Sequence, residues 1–94
     1  MGKNPSTIFR ELYKASKDRS KKAESIGGTN HIIEMEKQDG CYYVPYKEVV
    51  SNFLVEGYSE RRANVHIDKW VDYDLLFIRY SDGFKYIGFN KRGF

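Results

Sequence analysis

Cysteine is almost missing from this chain of 94 residues: Cys41 stands alone. One thiol cannot close an internal disulfide, which favours a reducing compartment and a cytoplasmic location. Long apolar runs are missing too. None approaches the roughly 18 residues that a membrane span needs, and MGKNPSTIFRELYK has no uninterrupted apolar core of a secretory signal. The start fits a myristoylation pattern only loosely, with Lys3 and Pro5 against it. Histidine is scarce: neither His31 nor His66 stands at a zinc-ligand spacing from Cys41. Asp68, Asp72 and Asp74 read as solvated acids at a helix end rather than metal ligands. No glycine-rich phosphate loop and no nucleophile–base pair is visible, so neither catalysis nor a cofactor is expected.

Aromatic side chains, by contrast, are plentiful, with eight Tyr and six Phe in a composition that is 16% aromatic. Such a chain can build a core and is not compositionally disordered. Its length suits one domain, which buries about 60–65% of the unfolded surface.

The net charge of +3 is unevenly spread. Residues 1–28 carry seven basic and three acidic side chains, a net of +4. Residues 29–56 carry Lys37 and Lys47 against five acids, a net of −3. Residues 57–94 carry seven basic side chains against five acids, a net of +2. A polyanion would meet the two ends of the chain and be repelled by its middle.

Pro5-Ser6-Thr7 opens a helix, with Ser6 or Thr7 as N-cap and Ile8, Phe9, Leu12 and Tyr13 on one face. From Lys17 to Ser25 it turns polar, as in a protruding or fraying end, and Gly27-Gly28 reads as a hinge. Residues 30–38 fit either a short helix or an alternating strand. Asp39-Gly40 turns the chain, Cys41-Tyr42-Tyr43-Val44 suits a strand, and Pro45 leads into a helix over 46–56 stopped by Gly57. Ser59 caps the next helix, whose Ala63, Ile67, Trp70 and Val71 share one face. Residues 75–80 and 84–89 form a hairpin around Ser81-Asp82-Gly83. If Tyr80 pairs with Phe84, Arg79 and Lys85 lie across from each other as a basic tip. The tail from Asn90 to Phe94 is basic and expected to be mobile.

With that order, residues 30–89 resemble the winged helix-turn-helix family of DNA-binding domains. Val49-Val50-Ser51-Asn52-Phe53-Leu54 matches the first helix of the pair and Glu56-Gly57-Tyr58 the turn. Ser59-Glu60-Arg61-Arg62-Ala63-Asn64-Val65-His66-Ile67-Asp68-Lys69-Trp70 matches the recognition helix, and the hairpin matches the wing. Two residues depart from the pattern: Asp74 stands where a glycine often precedes the strand, and Trp70 replaces the usual Leu. The resemblance implies an α+β fold, a three-helix core with a C-terminal wing over 29–94, plus an extra basic helical arm over 1–28.

It also implies sequence-specific binding of double-stranded DNA by a small transcription regulator, associated with the nucleoid. Helix 59–71 would read the major groove and wing 75–89 phosphates or the minor groove. The residues implied are Ser59, Arg61, Arg62, Asn64, Val65 and Lys69 on the helix, Arg79 and Lys85 on the wing, and Lys91 and Arg92 in the tail. Arg suits guanine and Asn adenine, each good pair giving roughly 1–3 kcal/mol of discrimination. The apolar face of the first helix serves either the core or the seam of a homodimer. The rival expectation is a viral or plasmid adaptor that binds a host protein and no DNA, which the acidic middle segment and aromatic wing fit. Gly83-Phe84-Lys85-Tyr86-Ile87-Gly88-Phe89 also looks like the aromatic strand of an RNA-recognition motif. Asp82 and Lys85 break that pattern, and too few residues follow Phe89 to complete such a fold.

Overall fold

The structure, a computed structural model, describes residues 2–27 and 30–94. Gly28, half of the expected hinge, lies outside them. The order is α1 (Pro5–Ser25), α2 (His31–Asp39), β1 (Tyr42–Pro45), α3 (Tyr46–Val55), α4 (Glu60–Asp72), β2 (Leu76–Ser81) and β3 (Phe84–Phe89). A single 3-10 turn, Lys91–Gly93, follows. This is an α+β fold of four helices and a three-stranded antiparallel sheet in the order β1-β3-β2 among the described residues. No helix among them is long and apolar enough to cross a membrane.

Alternation along the strands gives the sheet two buried faces. Leu76, Ile87, Phe89 and Val44 point to one side, where Ile8, Phe9, Leu12, Val49, Val50, Phe53, Ala63 and Ile67 of α1, α3 and α4 complete the main core. Tyr43 and Tyr86 point to the other, where α2 supplies Met35 and the loop supplies Cys41. The ambiguous stretch 30–38 is therefore helical. Asn30 caps it by accepting from the Ile33 N–H, and Gly40 ends it in the left-handed region at φ 71°.

Helix α1 is capped by Asn4, which accepts from the Thr7 N–H at 2.8 Å, rather than by Ser6 or Thr7. Asn4 precedes Pro5, whose missing N–H costs nothing in the first turn. Its second half does not fray, because Ser16 is buried and Arg19 is bound to Glu36 of α2. Phe9 lies 4.5 Å from the Trp70 ring and 5.2 Å from Phe53, so the apolar face of α1 packs into the core of the chain. Trp70 itself is half-buried, between Phe9 and the C-terminal Phe94.

The tail is docked rather than mobile. Phe94 stacks on Tyr13 at 5.0 Å, and the Asn90 amide donates to the Asp74 carbonyl at 2.9 Å. Asp74 takes φ 60°, the left-handed backbone that glycine usually supplies at this point. Asp is among the few other residues that tolerate it.

Gly88 sits in the central strand between Phe77 and Tyr43, whose rings meet edge to face over it at 5.7 Å. A Cβ there would lie 2.5 Å from Phe77 Cζ and 2.8 Å from Tyr43 Cε1. Gly88→Ala is expected to cost about 1–3 kcal/mol by overpacking. Urea unfolding checks this, with a lowered midpoint at unchanged slope.

Candidate nucleic-acid interface

Helix α4 is the strongest surface feature. Ser59 caps it by accepting from the Arg62 N–H at 3.1 Å, which fixes its first turn beside the 56–58 turn. Ala63 and Ile67 are buried below. Arg61, Val65 and Lys69, spaced four apart, form an exposed stripe. Asn64 and Asp68 flank it on one side. Arg62 flanks it on the other, its guanidinium 5.2 Å from the centre of the Tyr58 ring. Among the described residues Arg61, Arg62 and Lys69 have no carboxylate within salt-bridge distance. His66 stacks on Phe53 and meets Tyr58 edge-on, and burial pushes its pKa down, with the charges of Lys69 and Arg62 adding to this. It is a packing residue, neutral near pH 7.

The hairpin departs from expectation. Ser81 pairs with Phe84 and Tyr80 with Lys85, leaving a two-residue turn. Asp82 and Gly83 both take positive φ, 50° and 79°, as a type I′ turn requires. The three-residue loop assumed from Ser81-Asp82-Gly83 shifted the register by one, and one step in a strand moves a side chain to the other face. Arg79 therefore stands opposite Tyr86, not Lys85. It binds the Asp39 carboxylate and lies over Tyr43 on the α2 side. The basic tip of Arg79 with Lys85 does not exist.

Lys85 instead places its ammonium 3.9 Å from the centre of the Tyr46 ring at the start of α3. Together with Pro45, Lys47, Gly83, Phe84 and Tyr86 these two line a groove of about 680 Å3. Phe84 and Tyr80 are left 65% and 70% exposed. Lys91 rests its ammonium 4.6 Å from the Tyr42 ring, and Arg92 is exposed in the final turn. The structure thus gathers Ser59, Arg61, Arg62, Asn64, Val65 and Lys69 on one helix. It leaves Lys85 in a separate groove, Lys91 and Arg92 after β3, and Arg79 on the opposite face of the sheet.

Behind the sheet lies a polar network that the sequence reading missed. Glu36 accepts from Arg19 at 2.8 Å and from the Tyr43 N–H at 2.8 Å. The Tyr43 hydroxyl donates to Asp39 at 2.6 Å. Burial raises the Glu36 pKa, against the Tyr43 N–H and the Arg19 charge that lower it. The Tyr43 hydrogen bond and Arg79 hold Asp39 below its ordinary value. Burial pushes the Cys41 thiol up, which disfavours its thiolate form. Among the described residues no three His, Cys, Asp or Glu side chains are grouped to hold a metal. No protein-family model matches the chain, and no curated protein or solved structure is found to be similar to it.

Proposed function

We propose that this α+β unit is a winged helix that binds double-stranded DNA as a small transcription regulator, with α4 laid in the major groove. The observation that carries the reading is the outer face of α4, with Arg61, Arg62 and Lys69 held in water without a carboxylate partner among the described residues. Asn64 stands beside them near the capped N-terminal turn, the part of such a helix that meets base edges. The succession of α3, a tight turn, α4 and an antiparallel hairpin also fits this architecture. Bulk charge adds little, because residues 29–94 sum to −1. Affinity must come from where the cations stand.

Arg61→Ala and Arg62→Ala are each expected to weaken duplex binding by about 1–3 kcal/mol where the guanidinium meets a base edge. A phosphate contact would instead weaken all sequences equally and lower the slope of log affinity against log salt by about one. Anisotropy titrations of duplex DNA at several salt concentrations, after selection of a preferred site, separate these outcomes. A chain that fails to bind any duplex at low salt would favour the second reading, a protein adaptor. That reading draws on the hairpin register, which withdraws Arg79 from the tip and presents Tyr80 and Phe84 instead.

A further inference from the structure

The groove between the hairpin and the start of α3 is not used by α4. β1 pairs with β3 only as far as Pro45 opposite Tyr86, so Phe84 and Lys85 extend past the end of β1. Their free edge forms one wall, and Tyr46 and Lys47 form the other. Three properties of this space specify an occupant. Its volume of about 680 Å3 matches a pocket for a small planar group rather than a flat contact. Phe84, one residue before Lys85 and so turned to the other face of the same free edge, offers a ring that is mostly in water, an unsatisfied stacking surface. Lys47 and Lys85 stand at the rim with no carboxylate within salt-bridge distance among the described residues. Lys85 is aimed by its contact with the Tyr46 ring.

We propose that an unpaired nucleic-acid strand binds along this free edge, with a base stacked on Phe84 on one face and the adjoining phosphates met by Lys47 and Lys85 on the other. An aromatic platform beside cations that follow the backbone is how single strands are held without sequence readout. A duplex stacks its bases on one another and cannot offer a face to Phe84, so the site selects the unpaired form. Glu60 and Asp68 lie near Tyr46 on the α4 side, Asp82 lies at the turn, and Glu48 follows Lys47 in the first turn of α3, so the phosphates must be met by the two ammonium groups themselves. The inference is independent of the duplex reading, because its cations and its ring lie off α4.

The test is anisotropy of the full chain with a labelled oligothymidylate of about ten nucleotides in about 50 mM salt. Saturable binding is expected, weakened about 5- to 100-fold by Phe84→Ala. Lys47→Ala should weaken it as well and reduce its salt dependence. Both side chains are exposed, and the circular dichroism of each variant should match that of the parent. Arg61→Ala should leave oligothymidylate binding unchanged while weakening duplex binding. Absence of oligothymidylate binding overturns the proposal. So does binding that Phe84→Ala leaves intact, or that Arg61→Ala weakens as much, since the strand would then lie on α4.

Discussion

Phe9→Ala is expected to destabilise the fold by about 3–5 kcal/mol, the range for removing a buried ring. Phe9 is fully buried and joins three helices, touching Phe53 of α3 and Trp70 of α4 from α1. Those neighbours sit on separate elements and cannot all close on the cavity without moving a helix. Against the roughly 5–15 kcal/mol that a domain possesses, such a loss removes about a fifth of the stability or more. Thermal or urea unfolding by Trp70 fluorescence checks it. The outcome discriminates sharply, because an N-terminal helix acting only as a basic arm would make the substitution almost neutral. A change below about 0.5 kcal/mol, typical of a surface site, would sink the packing described for α1.

Arg19→Met is expected to cost about 3 kcal/mol near neutral pH, the lower end for breaking a buried ion pair. Glu36 is the buried member, its side chain 3% exposed, whereas Arg19 is 38% exposed and partly solvated without its partner. Removing Arg19 strands a buried carboxylate that still accepts from the Tyr43 N–H but has lost its counter-charge. The sign of the pH dependence follows from the raised pKa of Glu36. A carboxyl that is harder to ionise when folded favours folding below its unfolded pKa, and that contribution is lost as pH rises through the folded value. Without Arg19 the folded value rises further. The difference between Arg19→Met and the parent should therefore be largest at neutral pH and shrink as acid protonates Glu36. Adding Glu36→Gln, which keeps an acceptor for Tyr43 and drops the charge, should restore most of the loss. Urea titrations of the parent, both single variants and the double variant across pH 4–8 test this. A pH-independent difference would mean that Arg19 contributes packing only.

Where one element dictates its own periodicity, the sequence was readable. Ser59 as cap, Ala63 and Ile67 inward and Arg61 outward follow from α4 alone, and the structure has each of them. The helix–strand ambiguity at 30–38 could not be resolved locally, because Ile33 and Met35 suit either period. What decides it is a sheet face, with Tyr43 and Tyr86, that needs covering. The hairpin register turned on whether Ser81 belongs to the strand or the turn, a difference of one residue that redirected Arg79. The groove was hidden for the same reason: Tyr46 and Lys85 are 39 positions apart and meet only in the true register. The Arg19–Glu36 pair joined two segments read separately, one as a fraying end and the other as a stretch of undecided structure. The α+β class was legible, whereas the role of α1 as a core helix was partly so, because packing and a dimer seam make the same demand on its sequence.

Helix α2 touches the hairpin at both of its own ends. His31 meets the Ser81 hydroxyl at 2.8 Å near the turn, and Asp39 holds Arg79 two residues further back. Mechanically the hairpin is a beam clamped at two points rather than a cantilever hinged at its root. Bending its tip sideways means dragging a capped helix with it. The groove walls at Phe84 and Lys85 are consequently set during folding, and the entropy of holding them in place is not charged to the binding step. A ligand seated there would meet a surface already shaped for it, and loosening α2 would weaken its hold without altering a single contact in the groove.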